Sequence, residues 1–294
     1  MREKLEFFKK AAIWPLEFSF DPEGWLTNFR DDELDVAVAL LDGFSYFAPE
    51  LTKKILSTAF HRLSHYVADP SSAPAERINL WDGFRESVII TYPTDERPGA
   101  TDSGRTYLRK ARTILGLEQE QYMDPVDALS ARILDPSRPL IFLDDFAGSG
   151  NQFCETWHRP YMIAGRRWSF NSAGGAGLLA YIPILSSHMA VRSIDRCASN
   201  VLFLPGHVVG EEYSAFHPES VLWPSPEVQQ KARDVIYEAS ARAGIPLGDG
   251  SVPDDWCGYR ELGLALAIDD TIPDACLTIL YWNANGWQPL FRRP

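Results

Sequence analysis

Two neighbouring carboxylates, Asp144 and Asp145, run straight into Gly148, Ser149 and Gly150, and this stretch holds the most readable chemistry in the chain. Over 140–153 the sequence is LIFLDDFAGSGNQF: an apolar run, an acidic pair, a small-residue loop and the opening of a helix. Glycines at 148 and 150 permit a tight turn and let backbone N–H groups approach a ligand closely, which at a helix N-terminus suits an anion such as phosphate. Ser149 adds a hydroxyl donor. Carboxylates repel phosphate, so the acidic pair must serve another part of the same ligand, and vicinal sugar hydroxyls fit that need. A metal-free acidic edge, or the acidic pocket of a receiver or phosphatase-like fold, also ends a strand in aspartates. The Gly-Ser-Gly step just beyond the pair favours sugar and phosphate.

Positioning such a site takes a strand that ends at the pair and a helix that starts at the loop. Leu140–Leu143 reads as the strand, and open α/β sheets place ligands at the carboxyl ends of their strands. Further strands are expected at Ser87–Tyr92, Gly177–Leu185, Val201–Leu204, Gly263–Ile268 and Leu277–Trp282, and helices at Gly104–Leu115, Pro125–Leu134 and Ser225–Ala243. This alternation predicts an α/β fold with a mostly parallel sheet flanked by helices. Before it, Leu34, Ala37, Val38, Leu41 and Phe44 recur at helical spacing, with Asp31 and Asp32 as caps. A second helix is expected over Glu50–Val67 and a loop over Ala68–Arg77. The expected organisation is an N-terminal helical subdomain, 1–80, followed by an α/β domain, 81–294, that closes on a C-terminal strand pair.

The polar loop Pro93–Arg105 precedes a helix, and Thr101, Asp102, Ser103, Gly104 and Arg105, with Arg109, are candidates for a second anion site; simple N-capping by Asp102 or Ser103 reads equally well. Arginines 159, 166 and 167 interleave with Trp157, Tyr161, Trp168 and Phe170, a pattern that serves base stacking or an aromatic core edge. His61 and His65 lie one helical turn apart without a third ligand nearby in sequence, and read as a solvated face. His188 follows a strand and reads as a satisfied histidine near the cleft, Cys154 as a packing residue, and Asp269 and Asp270 as turn residues.

Composition limits the partners. Arginine and lysine total 28 against 40 acidic residues, a net charge of −12, so direct nucleic-acid binding is not expected. Cys154, Cys197, Cys257 and Cys276 form no C-x-x-C pair and no leading signal segment is evident, so reduced thiols in the cytoplasm are expected. No apolar run of about 18 residues is present, which argues against a membrane span.

An apolar strand, Asp-Asp and a small-residue loop resemble the phosphoribosyl pyrophosphate motif of type I phosphoribosyltransferases. The resemblance implies that Asp144 and Asp145 hold the ribose 2′- and 3′-hydroxyls. It also implies that the loop Gly148, Ser149, Gly150, Asn151 and Gln152 wraps the 5′-phosphate, with Phe146 and Ala147 beside it among the ligand-binding residues, while Ser103, Gly104 and Arg105 receive pyrophosphate bridged by Mg2+. Gly148 and Gln152 depart from the hydroxyl residues common at those places, which removes donors but keeps the backbone amides. Trp25–Phe29, Asp102–Arg105, Asp144–Asn151 and Trp287–Phe291 together resemble a phosphoribosyltransferase-like branch of bacterial conflict systems, retrons included. That branch often carries a His-Asn-x-Pro-Asn-Asn stretch, where this chain reads Asp269-Asp270-Thr271-Ile272-Pro273-Asp274. The resemblance implies a phosphoribosyltransferase-like protein that binds phosphoribosyl pyrophosphate or a nucleotide and makes or breaks a glycosidic bond. It further implies an anti-phage effector with protein partners of a defence operon, for example a reverse transcriptase complex; the other reading is a non-enzymatic nucleotide-sensing or scaffold subunit. Self-association stays open.

Overall fold

The computed structural model describes residues 19–94 and 103–293, together with isolated positions between 4 and 11. The chain divides into two compact units, one made of 1–52 and 210–294, the other of 53–209, so the expected 1–80 segment is shared between them.

The second unit carries the α/β sheet. Its strands β2 (Ile89–Thr91), β3 (Leu140–Ala147), β6 (Leu179–Ser187), β7 (Leu202–Phe203) and β8 (His207–Val209) are all parallel. The order is β2-β3-β6, with β7 and β8 following one another along the free edge of β6. Leu140, Ile141, Phe142 and Leu143 are fully buried, as a strand covered on both faces requires. Because the strands are parallel, the ends of β2, β3 and β6 lie along one edge of the sheet, where their following loops gather. Helices α3 (Pro49–His61), α4 (Ser64–Val67), α5 (Pro74–Ser87), α6 (Ser103–Leu115), α7 (Pro125–Leu134), α8 (Asn151–His158), α9 (Phe170–Ala173) and α10 (His188–Cys197) connect or flank them. Phe142, Phe153, Trp157, Phe170 and Tyr181 form the core on the face that α8 covers. Trp157 and Phe170 are therefore interior, while β4 (Tyr161–Ile163) and β5 (Arg166–Trp168) form an antiparallel hairpin that exposes Arg166 and Arg167.

The first unit contains α1 (Pro22–Leu26), α2 (Leu34–Gly43), β1 (Ser45–Phe47), α11 (Pro226–Ala243) and β9 (Leu266–Ile268), with β1 and β9 parallel. Among the described residues no helix is long and apolar enough to cross a membrane.

Several expected elements differ. Asp31 and Asp32 do not cap α2: it begins after Glu33, whose buried carboxylate is held by Arg242 of α11 in two hydrogen bonds of 2.8 and 2.5 Å. Burial pushes the Glu33 carboxyl up, but the bonds to Arg242 and Arg30 outweigh it, and the net displacement is downward. The helix expected over Glu50–Val67 breaks after His61, and the expected loop gives way at Pro74 to α5, with proline at the first helical position. Leu277–Trp282 is a 3-10 turn around Thr278–Leu280, so no C-terminal strand pair forms; its carbonyls are occupied by side chains and by the C-terminal segment rather than by a strand.

Candidate functional site

Strand β3 continues through the acidic pair, with Asp144 opposite Pro183 and Phe146 opposite Leu185 of β6. Asp144 is buried and Asp145 still touches solvent. Each carboxylate accepts the N–H of the next residue: Asp145 N–H donates to Asp144 Oδ1 at 3.0 Å and Phe146 N–H to Asp145 Oδ1 at 2.8 Å. The Tyr181 hydroxyl donates to Asp144 Oδ2 at 2.7 Å. Burial, then the neighbouring Asp145 charge, push the Asp144 carboxyl well above the usual range, while the Tyr181 bond pulls the other way. Burial also raises Asp145, opposed by its hydrogen bonds and by the Lys110 ammonium of α6. The surroundings of Asp144 thus favour its neutral form more than solvent does.

Beyond the pair the chain turns through Gly148, Ser149 and Gly150 into α8. Gly150 has φ +79°, and a Cβ there would meet Ser193 Cβ at 3.1 Å and Ala190 Cα at 3.3 Å, so glycine is needed both for the turn and for the approach of α10. No side chain caps the start of α8 through Gly150, although Ser149 Oγ accepts the Asn151 N–H at 3.2 Å. Ser187, at the end of β6, donates to the Gly148 carbonyl at 2.5 Å and caps α10 through Met189 and Ala190. The small-residue turn is thereby fixed between two helix starts, whose backbone N–H groups carry partial positive charge.

The family model PRTase-CE matches residues 22–293. The chain belongs to the PRTase-CE family. No curated protein matches it. Its mostly parallel α/β sheet flanked by helices is consistent with a type I phosphoribosyltransferase-like fold.

In this PRTase-CE chain the other sequence candidates separate. Gly104 lies in the first turn of α6, where a Cβ would sit 2.8 Å from Tyr92 Cδ2. Arg105 pairs with Asp124 at 3.2 Å, and Asp124 also accepts the Tyr92 hydroxyl at 2.9 Å. Ser103 opens α6, whereas Thr101 and Asp102 lie outside the described residues. At the other end of that loop, Arg159 Nη1 and Nη2 bond Thr94 Oγ1 and its carbonyl at 2.7 and 3.0 Å, and Thr156 Oγ1 exchanges two bonds of 2.9 Å with the Thr94 backbone. Helix α8 therefore carries the small-residue turn at one end and fastens Thr94 near its other end. His188 begins α10 directly after Ser187. His61 remains on an exposed face, its Nδ1 against the Ser57 carbonyl at 2.6 Å.

Two residues of the site were not evident from sequence. Tyr181 stands in the apolar run LLAYIPIL, and its polar tip in a buried strand is the available hint. Lys110 reads as an ordinary helix-face cation. Cys154 and Cys197, expected as free thiols, are joined: α8 and α10 pack across Gly150 closely enough to bring their Cα atoms to 5.9 Å, within disulfide reach. Cys257 and Cys276 are free and buried.

Proposed function

We propose that the Asp144–Gln152 cleft binds the ribose 5-phosphate unit of phosphoribosyl pyrophosphate or of a nucleotide, and that the protein makes or breaks the glycosidic bond at C1. The observation that carries this proposal is the continuity of strand, acidic pair and left-handed Gly150 turn into the start of α8. On this reading the carboxyls receive the ribose hydroxyls, and the backbone amides around Ser149–Gln152 hold the 5′-phosphate. Departure of pyrophosphate takes the C1–O electron pair with it, and a nitrogen nucleophile or water then forms the new bond to C1. Cleavage of a nucleotide instead breaks C1–N. Positive charge develops at C1 in either case, and on this reading the carboxylate of Asp145 opposes it.

Among the described residues no three His, Cys, Asp or Glu side chains converge on one point. The partly open Asp145 carboxylate is the residue that would hold a Mg2+ brought by the ligand, an oxygen donor of the kind that ion takes. When bound, such an ion supplies charge neutralisation on the leaving pyrophosphate.

The biological role proposed is that of an effector in a bacterial anti-phage system, supported by the resemblance of Trp25–Phe29 and Trp287–Phe291 to that branch. One observation favours a second reading, a nucleotide-sensing or scaffold subunit: Asp144 is buried and already accepts the Tyr181 hydroxyl at 2.7 Å, an environment that suits holding a hydroxyl more than opposing a cationic transition state. Mass spectrometry of nucleotides and phosphoribosyl pyrophosphate incubated with the protein and Mg2+ separates them. Released base or pyrophosphate, absent with Asp144→Asn/Asp145→Asn, supports the enzyme; unchanged ligands recovered from a binding-competent protein support the sensor.

A further inference from the structure

Tyr181 touches both halves of the candidate site. Its hydroxyl bonds Asp144 Oδ2 at 2.7 Å, and its ring lies on Phe153 of α8 with centroids 4.2 Å apart and planes 5° from parallel. Phe153 is the third residue of α8, so the stack lies one helical step inside the phosphate-side turn. The strand register sets this up: Tyr181 is opposite Phe142, and Asp144 lies two residues further along β3, on the same pleat. Tyr181, Phe153 and Phe142 are each at most 1% exposed, so neither contact competes with water. The Phe142 ring meets Phe153 edge-on at 5.3 Å and closes the cluster.

We propose that Tyr181 is a positioning residue that couples the sugar side of the site to its phosphate side: the hydroxyl orients the Asp144 carboxyl toward the ribose, while the ring seats the first turn of α8. The inference rests on the ribose 5-phosphate reading and deepens it. A buried carboxyl flanked by a second carboxyl has several low-energy orientations, and a fixed phenol donor selects one. Removing the hydroxyl while keeping the ring therefore releases the sugar-side group and leaves the helix seated.

The test is titration of ribose 5-phosphate and, separately, inorganic phosphate into the wild type, Tyr181→Phe and Tyr181→Leu, with circular dichroism to establish that each variant is folded. Tyr181→Phe is expected to weaken ribose 5-phosphate about tenfold, the scale of one hydrogen bond to a carboxyl group, and to change phosphate affinity less than twofold. Tyr181→Leu, which also removes the stack, is expected to weaken both. Equal losses for the two ligands in Tyr181→Phe, or no loss for either, would overturn the coupling role. A folded wild type that binds phosphate but gains nothing from the ribose would overturn the ribose reading itself, and that outcome is visible before any variant is made.

Discussion

Trp25 and Trp287, separated by almost the whole chain, donate their indole N–H groups to the same carbonyl, that of Ile279, at 2.8 and 3.0 Å. Phe29 bridges the pair, edge-on to Trp25 at 4.7 Å and to Trp287 at 5.5 Å, and Asn28 bonds the Gln288 backbone in both directions. The W-L-x-x-F and W-x-P-L-F elements thus close the first compact unit upon itself, and they act on its stability rather than on ligand chemistry.

One carbonyl with two donors predicts non-additivity. Trp25→Phe and Trp287→Phe are each expected to cost about 1 kcal/mol, since the remaining indole keeps the Ile279 oxygen satisfied. The double variant leaves that buried oxygen unpaired and is expected to cost more than the sum, by about 1 kcal/mol or more. Urea denaturation of the four proteins measures this, and strict additivity would contradict it.

The upward shift of the buried Asp144 carboxyl sets the sign expected for a pH dependence of stability. Its folded pKa lies above the ordinary value of 3.8, so between those two values the native state binds more protons than the unfolded chain. Its contribution is therefore fully present below the unfolded value and is lost as pH rises through the folded one. Asp145, Tyr181 and, beyond Asp145, Lys110 are the titratable groups that influence it. Asp144→Asn keeps the hydrogen-bonding shape without the titration. Thermal melts are expected to show the variant more stable than wild type at pH 8, with the gain disappearing toward pH 4; a gain that is constant with pH would contradict this.

The Cys154–Cys197 bond encloses 43 residues of separation and ties α8 to α10. Opening it is expected to lower stability by about 3–4 kcal/mol in the chain-entropy account. Alkylation under native conditions provides the count: burial raises the Cys257 thiol to about 11 and the Cys276 thiol to about 12, so neither should react at pH 8. Mass spectrometry is expected to find no added label without reductant and two labels after mild reduction. Two labels without reductant would show the pair to be open.

What was legible in the sequence is what the chain does locally. Strand β3, the acidic pair and the glycine turn are contiguous, and their order is readable from the sequence alone. Tyr181 enters that site only through strand register, 37 positions from Asp144, and nothing in its own neighbourhood marks it as a carboxylate partner. Glu33 displaced the expected caps Asp31 and Asp32 because its partner, Arg242, lies 209 positions away. Leu277–Trp282 has the apolar content of a strand, yet two distant indoles claim the Ile279 carbonyl and the Phe291 N–H takes that of Leu280, leaving no free ladder edge. The disulfide likewise follows from helix packing across Gly150 and not from cysteine spacing.

The most direct measurement is calorimetric titration of phosphoribosyl pyrophosphate with Mg2+ into the wild type and into Asp144→Asn/Asp145→Asn. The account predicts saturable binding to the wild type and its loss in a variant that remains folded. Absence of binding to a folded wild type, or equal binding to both proteins, would contradict the assignment of the Asp144–Gln152 cleft to ribose 5-phosphate.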